Sequence, residues 1–170
     1  MELWDIYDID RKLTGRVMKR GEAFEDGAFH LGVHICVFNS RGQMLIQQRQ
    51  PFKEGWSNYW DITVGGSSVA GEDSRMAAHR ELLEEVGIDH DFTGAIPNMT
   101  FNNPHGFDDI YLIRKDVDET RLALQYEEVQ AVRWATKEEI KAMIREGIFI
   151  PYHDCVIDLF FFMLGRYGTA

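Results

Sequence analysis

The sequence has little cysteine, little proline and fewer basic than acidic residues. Its 170 residues include four prolines and only two cysteines, Cys36 and Cys155, which lie far apart in apolar segments. This pattern favours buried thiols in a reducing compartment over a disulfide. Eighteen lysines and arginines against 28 acidic residues give a net charge of −10, which argues against binding to a nucleic acid polymer.

Long hydrophobic runs are also missing. The longest apolar run, residues 159–164, is far shorter than the roughly 20 residues that span a bilayer, and the first residues lack the basic and apolar regions of a signal peptide. We therefore expect a cytoplasmic protein without membrane association. An ordinary composition, 45% hydrophobic and 12% aromatic, excludes disordered and fibrous classes and, with the length, predicts one domain over residues 1–170.

Hydrophobic periodicity predicts helices between and after several strands. Helices are expected over residues 74–86, ending at Gly87, over 136–145, beginning with a capping box at Thr136, and over 154–164. A turn at 12–15, a loop at 51–59 and a polar loop at 100–105 separate other elements. Strands are expected at residues 3–9, 16–18, 30–38, 44–49, 109–113 and 129–134. This order predicts an α/β fold with a sheet between helices.

Three glutamates of the first predicted helix share one face. Glu81, Glu84 and Glu85 stand at i, i+3 and i+4, which suits either a solvated acidic face or a site for Mg²⁺ or Mn²⁺, since these ions prefer oxygen ligands. The preceding glycines, Gly65 and Gly66, would let backbone atoms approach the helix closely. Arg80 would either pair with a glutamate and fix its rotamer or extend into solvent.

This segment resembles the Nudix box of the Nudix hydrolases. Residues 66–88 match the pattern at every position, with a chance probability on the order of 10⁻⁶ over the chain. The resemblance implies a Nudix-type α/β/α sandwich with a mixed β-sheet. It also implies a metal-dependent hydrolase that uses water to cleave a small-molecule diphosphate, such as a nucleoside diphosphate linked to another moiety. The matching residues are Gly66, Glu72, Arg80, Glu81, Leu82, Glu84, Glu85, Gly87 and Ile88.

The resemblance also implies roles for individual residues. Glu84 and Glu85 would be the principal ligands of Mg²⁺ or Mn²⁺, and Glu81 a further ligand or the general base. Catalysis would also involve Arg80, while Glu72 would support the loop and helix geometry. Two further ligands are expected outside the helix, namely the Gly65 carbonyl and an acidic residue before the strand at 129, Glu128 or its neighbour Glu127.

Substrate contacts rest on fewer signals. Arg49 and Lys53 flank the loop before the glycine pair and are candidate anchors for a diphosphate, or else surface charges. The loop's aromatic residues, Trp56, Tyr59 and Trp60, would pack in the protein or stack on an organic group. His30 and His34 share one strand face, as a packed or surface pair or as part of a metal site.

Two other functions stay open. The flanking segments resemble isopentenyl-diphosphate isomerases, and His30 matches a metal-binding histidine of those enzymes. Their essential cysteine falls on Gly65 here, a second histidine falls on Ser67, and their distal glutamate aligns best with Asp108, so the resemblance favours hydrolysis.

A non-catalytic Nudix domain that senses a nucleotide is the second alternative. Such domains generally lose box glutamates, and none is missing here. The apolar C-terminal helix would cover the core or form a homodimer.

Overall fold

Nine strands and three α-helices make up the computed structural model, which describes residues 2–169. The helices are α1 (Ser74–Val86), α2 (Lys137–Arg145) and α3 (Asp154–Met163), and a short 3-10 helix spans Glu119–Arg121. None of the helices in this part of the chain combines the length and apolar character that crossing a membrane requires. The strands are β1 (Leu3–Tyr7), β2 (Leu13–Lys19), β3 (His30–Phe38), β4 (Met44–Arg49), β5 (Trp60–Asp61), β6 (Val64–Ser67), β7 (Met99–Asn103), β8 (Gly106–Arg114) and β9 (Val129–Ala135).

Seven strands form a mixed sheet around β3. The order is β5-β4-β3-β8-β7, with β6 also paired to β3 and β9 to β4. β3 runs parallel to β8 from the pair His30 and Gly106 to the pair Phe38 and Arg114, whereas its pairs with β4 and β6 are antiparallel. β1 and β2 form a separate antiparallel hairpin.

The two faces of the sheet are covered by different helices. Because side chains alternate along a strand, β3 directs Val33, Ile35 and Val37 into an apolar cluster with α1. It directs Cys36 and Phe38 into a second cluster with α2 and α3. This arrangement confirms the expected α/β/α sandwich with a mixed sheet.

Helix α1 begins and ends where its sequence predicts. The side chain of Asp73 accepts hydrogen bonds from the backbone N–H groups of Arg75 and Met76, and Gly87 ends the helix in the left-handed conformation at φ 69°. A left-handed ending favours glycine because it has no Cβ. These two caps fix the length of the helix that carries the box glutamates.

Two local predictions were wrong. The first turn lies at residues 8–12, where the Asp8 side chain accepts hydrogen bonds from the backbone N–H groups of Asp10 and Lys12. The first strand therefore ends at Tyr7 and not at residue 9, and residues 13–15 belong to β2. Residues 100–103 belong to β7, which pairs with β8; this pairing overrides the turn propensity of the two asparagines at its end. The short strands β5 and β6 were not expected.

The two cysteines differ in exposure. Both are free, as expected, and Cys36 is fully buried. Cys155 is exposed, which corrects the expectation that it is buried, because it lies on the side of α3 that faces solvent.

Candidate active site

A cavity of about 380 Å³ lies where α1, β3 and β6 meet. Its wall includes six carboxylates and four basic side chains, an excess of acidic groups that suits a cation. The carboxylates are those of Glu2, Glu81, Glu84, Glu85, Asp108 and Glu128, and the basic residues are Arg20, Arg49, Lys53 and Arg80. The structure thus brings the eight residues predicted to bind the metal or the substrate or to act in catalysis to one cavity, together with His30 and His34, whereas Glu72 and Glu127 are not part of its wall. The eight are Arg49, Lys53, Gly65, Arg80, Glu81, Glu84, Glu85 and Glu128.

The glycine pair permits close contact between β6 and its neighbours. A Cβ on Gly66 would lie 2.2 Å from the carboxyl carbon of Glu81, and one on Gly65 would lie 2.7 Å from His34 Nδ1. Both distances are far below van der Waals contact, so no larger residue fits without displacing these side chains. The glycines therefore place the Glu81 carboxylate directly against the backbone of β6.

Arg80 connects three glutamates of the site. Its Nε and Nη2 donate to the two carboxylate oxygens of Glu72 at 2.7 and 2.9 Å, a bidentate pair with good geometric specificity. Its Nη1 donates to Glu81 at 3.0 Å and to Glu84 at 3.2 Å. The Glu72 carboxylate, more than any other partner, raises the pKa of Arg80. Arg80 is thus a held positive charge rather than a solvated helical arginine.

The three box glutamates differ in environment. Glu85 is 5% exposed and accepts a hydrogen bond from Gln47 Nε2 at 2.9 Å; burial raises its pKa to about 8. Burial also raises the pKa of Glu81, against the opposing effect of Arg80. The Glu84 side chain is 51% exposed. The glutamates of this helix face therefore differ in exposure, because Glu84 is open to solvent and Glu85 is buried in the interior.

The donor chemistry of the cavity fits a divalent cation, although the side chains do not converge as a finished site. Among residues 2–169, no three histidine, cysteine or acidic side chains are arranged as a metal-binding group. The guanidinium of Arg80 contacts two of the carboxylates, so it already neutralises part of their charge. Oxygen donors are nevertheless what Mg²⁺ and Mn²⁺ prefer. The ligands Gly65, Glu81, Glu84, Glu85 and Glu128 stay predictions.

Arg49 and Lys53 lie at the cavity wall. The Nε of Arg49 is buried and has no hydrogen-bond partner within the described part of the chain, and its Nη1 lies 4.0 Å from Asp61. Lys53 forms an ion pair with Glu128. An unsatisfied buried N–H is costly. Because Arg49 also lines the cavity, its guanidinium is a candidate donor to an anionic oxygen of a ligand.

Comparison with known proteins assigns the chain to a family. Residues 28–154 match the NUDIX domain. The chain is 48% identical over 152 residues to an uncharacterized Nudix hydrolase of Listeria monocytogenes, a match that covers 89% of this chain and 90% of the relative. The chain belongs to the Nudix hydrolase family.

Solved structures share the Nudix hydrolase fold seen here. A Deinococcus radiodurans protein, DR0079, superposes with a TM-score of 0.73 at 23% identity, over 94% of this chain and 97% of its own. A MutT protein from Methanosarcina mazei superposes with a TM-score of 0.59 at 20% identity, over 78% of this chain and 92% of its own.

Part of the chain is also similar in sequence to an isomerase. An isopentenyl-diphosphate Delta-isomerase from Pectobacterium atrosepticum is 39% identical over 83 residues, or 49% of this chain and 46% of the isomerase.

Some residues of this Nudix hydrolase site could not be identified from the box. Glu2 directly precedes β1 and Arg20 directly follows β2, so both lie at the open end of the hairpin, where Arg20 donates a 2.9 Å hydrogen bond to Glu2. His30 stacks on Trp4 with ring centroids 4.5 Å apart, and burial lowers its pKa. The alternation of β3 placed His30 and His34 on one face, but the hairpin residues carried no comparable signal.

The aromatic residues of the loop at 51–59 do not reach the cavity wall. Trp60 packs against the apolar cluster beneath α2 and α3, with the guanidinium of Arg133 over its ring at 5.1 Å. Trp56 and Tyr59 contact each other edge to face. The packing interpretation therefore agrees with the structure at Trp60, whereas Trp56 is 49% exposed, and none of the three residues lines this cavity for a stacking role.

Proposed function

We propose that this Nudix hydrolase uses Mg²⁺ or Mn²⁺ and water to cleave the diphosphate linkage of a small organic substrate. The observation that supports this proposal is the meeting of two charge types in one cavity. Carboxylates from the box line the same cavity as the side chains of Arg49 and Lys53. Carboxylates suit a cation, and paired basic groups suit phosphate oxygens.

Glu84 and Glu85 would hold the divalent cation, with the Gly65 carbonyl and Glu128 as further donors and Glu81 as another ligand or as the general base. When bound, the cation would neutralise charge on the phosphoryl oxygens and lower the pKa of water. Arg80 fixes Glu72 and limits the rotamers of Glu81 and Glu84. Such fixation is expected to matter because charge stabilisation in a transition state depends on donors that are already in place.

In the reaction, the oxygen of water bonds to one phosphorus and the bridging P–O bond breaks. The departing phosphate keeps the electron pair of that bond, and a carboxylate accepts the proton that water loses. Glu81 suits this role because burial raises its pKa towards the operating range of a general base. The basic side chains of Arg49 and Lys53 would bind the phosphate oxygens.

Isomerisation is the second candidate function, since part of the chain is similar to an isopentenyl-diphosphate isomerase. That resemblance assigns the isomerase cysteine to Gly65, which has no side chain. Cys36 does not replace it, because it is fully buried beneath α2 and α3 and burial raises the pKa of its thiol. The proton donor and acceptor that isomerisation needs are therefore incomplete, which favours hydrolysis.

Release of inorganic phosphate from terminal diphosphates, and of phosphomonoesters from diphosphates substituted at both ends, tests the proposal across a substrate panel with Mg²⁺ or with EDTA. We expect turnover only with the metal, and a fall of about 10²–10³-fold in Glu84→Gln. Glu138→Gln, a change on the first turn of α2, is the matched control and should keep full activity. Saturable binding without turnover would indicate a sensor, and proton exchange in isopentenyl diphosphate without phosphate release would indicate an isomerase.

A further inference from the structure

A second cavity, of about 320 Å³, lies beside the first on the side of the sheet that faces α3. We name it the apolar chamber. Its wall is formed mainly by hydrocarbon and aromatic side chains, which come from three strands or their ends and from α3. They are Ile62, Phe101, Ile110, Val156 and Phe160, together with Tyr152.

The apolar chamber and the diphosphate cavity share two wall residues. His34 and Asp108 line both, and they lie 4.0 Å apart between His34 Nε2 and Asp108 Oδ1. Both side chains keep partial exposure, 30% and 26%, so the boundary between the cavities is not sealed by packing. A molecule anchored by its phosphates near Arg49 and Lys53 would have the chamber within reach of its organic end.

The chamber offers few groups for hydrogen bonding. The polar side chains of its wall are those of His34 and Asp108, at the boundary with the first cavity, and of His153 and Tyr152, whose hydroxyl already donates to Asp61 at 2.9 Å. A nucleobase or sugar placed against the apolar side chains would leave amide, amine or hydroxyl groups on that side without partners, which is costly. A hydrocarbon group has no such groups to satisfy and gains from leaving water.

We propose that the apolar chamber receives the organic group of the substrate and that this group is a short hydrocarbon chain. The proposal rests on the diphosphate hydrolysis described above and restricts the substrates of that reaction to diphosphates of short hydrocarbon chains. A volume of about 320 Å³ corresponds to about ten water molecules at roughly 30 Å³ each, and therefore to a chain of about ten non-hydrogen atoms. Water attack on such a substrate would yield an alkyl monophosphate and inorganic phosphate.

A series of n-alkyl diphosphates from methyl to dodecyl, assayed with Mg²⁺ beside ADP-ribose and UDP-glucose, tests the proposal. We expect kcat/KM to rise about three- to fourfold for each added methylene until the chamber is full, near ten carbons, and then to stop rising. A flat series, or a preference for the nucleotide compounds, would overturn the proposal while leaving diphosphate hydrolysis intact. No hydrolysis of any compound would instead contradict the proposed function.

A substitution in the chamber adds a second test. Val156→Phe on α3 would fill part of the chamber, so the ratio of kcat/KM for octyl over methyl diphosphate should fall at least about tenfold. Val17→Phe, the same change at an exposed site on β2, should leave the ratio unchanged. If Val156→Phe does not fold, Phe160→Leu should extend the optimum to longer chains. An unchanged ratio or optimum in a folded variant would overturn the proposal.

Discussion

Replacing Glu85 by glutamine should stabilise the metal-free protein at neutral pH while it abolishes activity. Glu85 is 5% exposed, and burial raises its pKa from an ordinary 4.5 to about 8. In the folded, metal-free protein the side chain is therefore protonated at neutral pH, whereas in the unfolded chain it is ionised. Glutamine does not titrate, and its carbonyl can accept the same hydrogen bond from Gln47.

The sign and the magnitude follow from proton linkage. The folded wild type holds the extra proton, so the stability linked to Glu85 is complete below pH 4.5 and is lost as the pH rises to about 8. Between pH 4.5 and pH 7 the free energy of unfolding of the wild type falls by about 1.36 kcal/mol for each pH unit, which amounts to about 3 kcal/mol at pH 7. The variant avoids this loss, which corresponds to a melting temperature about 6–12 °C higher in a chain of this size.

Unfolding by heat and by guanidinium in EDTA, at about pH 5 and about pH 8, would measure the difference. We expect nearly equal stabilities at the lower pH and a clear advantage of Glu85→Gln at the higher one. Glu84→Gln is the matched control, since the Glu84 side chain is 51% exposed, and its stability should change by less than about 0.5 kcal/mol. Equal stabilities of Glu85→Gln and the wild type at both pH values would refute the reasoning.

Three other substitutions test separate parts of the site. Arg80→Lys removes the bidentate bond to Glu72 and should lower kcat/KM about 10- to 100-fold with a higher Mg²⁺ requirement in a metal titration; an unchanged titration would contradict the positioning role. Gly66→Ala would place a Cβ 2.2 Å from the Glu81 carboxyl carbon, and we expect activity to fall at least about 100-fold in a protein whose circular dichroism is unchanged. Cys36→Ser places a hydroxyl in a fully buried position, so it should lower stability by about 1–3 kcal/mol and leave kcat unchanged. A folded but inactive Cys36→Ser would support the isomerase alternative.

The elements with a strong periodic pattern were predicted residue by residue. β3, β4 and α1 have the expected bounds because alternation, helical spacing and caps agree in each of them. The capping box at Thr136 is also present. The bounds of such a segment can be predicted from sequence because several local signals agree.

The remaining elements depend on partners distant in sequence. β7 has a polar end and becomes a strand because β8 pairs with it. β6 contains two glycines and is a strand because it pairs with β3. The local propensities of the residues in β6 and β7 carry no information about these pairings, and they favoured loops at both segments.

The part of the site that lies on helix α1 could be predicted from the sequence. Glu81, Glu84 and Glu85 required only helical spacing. Asp108 and Arg20 reach the cavity through the pairing of β8 with β3 and through the position of the hairpin, which no short motif encodes. The expectations of a cytoplasmic location and of a homodimer through the apolar C-terminal helix stay predictions.

The most direct test of the central claim is the location of Mn²⁺ by anomalous X-ray scattering in crystals grown with the ion. We expect a peak within coordination distance of the carboxylate oxygens of Glu81, Glu84 and Glu85. We also expect Arg80 to keep its bidentate bond to Glu72. Crystals in which the ion is absent from this cavity, or is bound only by residues outside α1, would contradict the account.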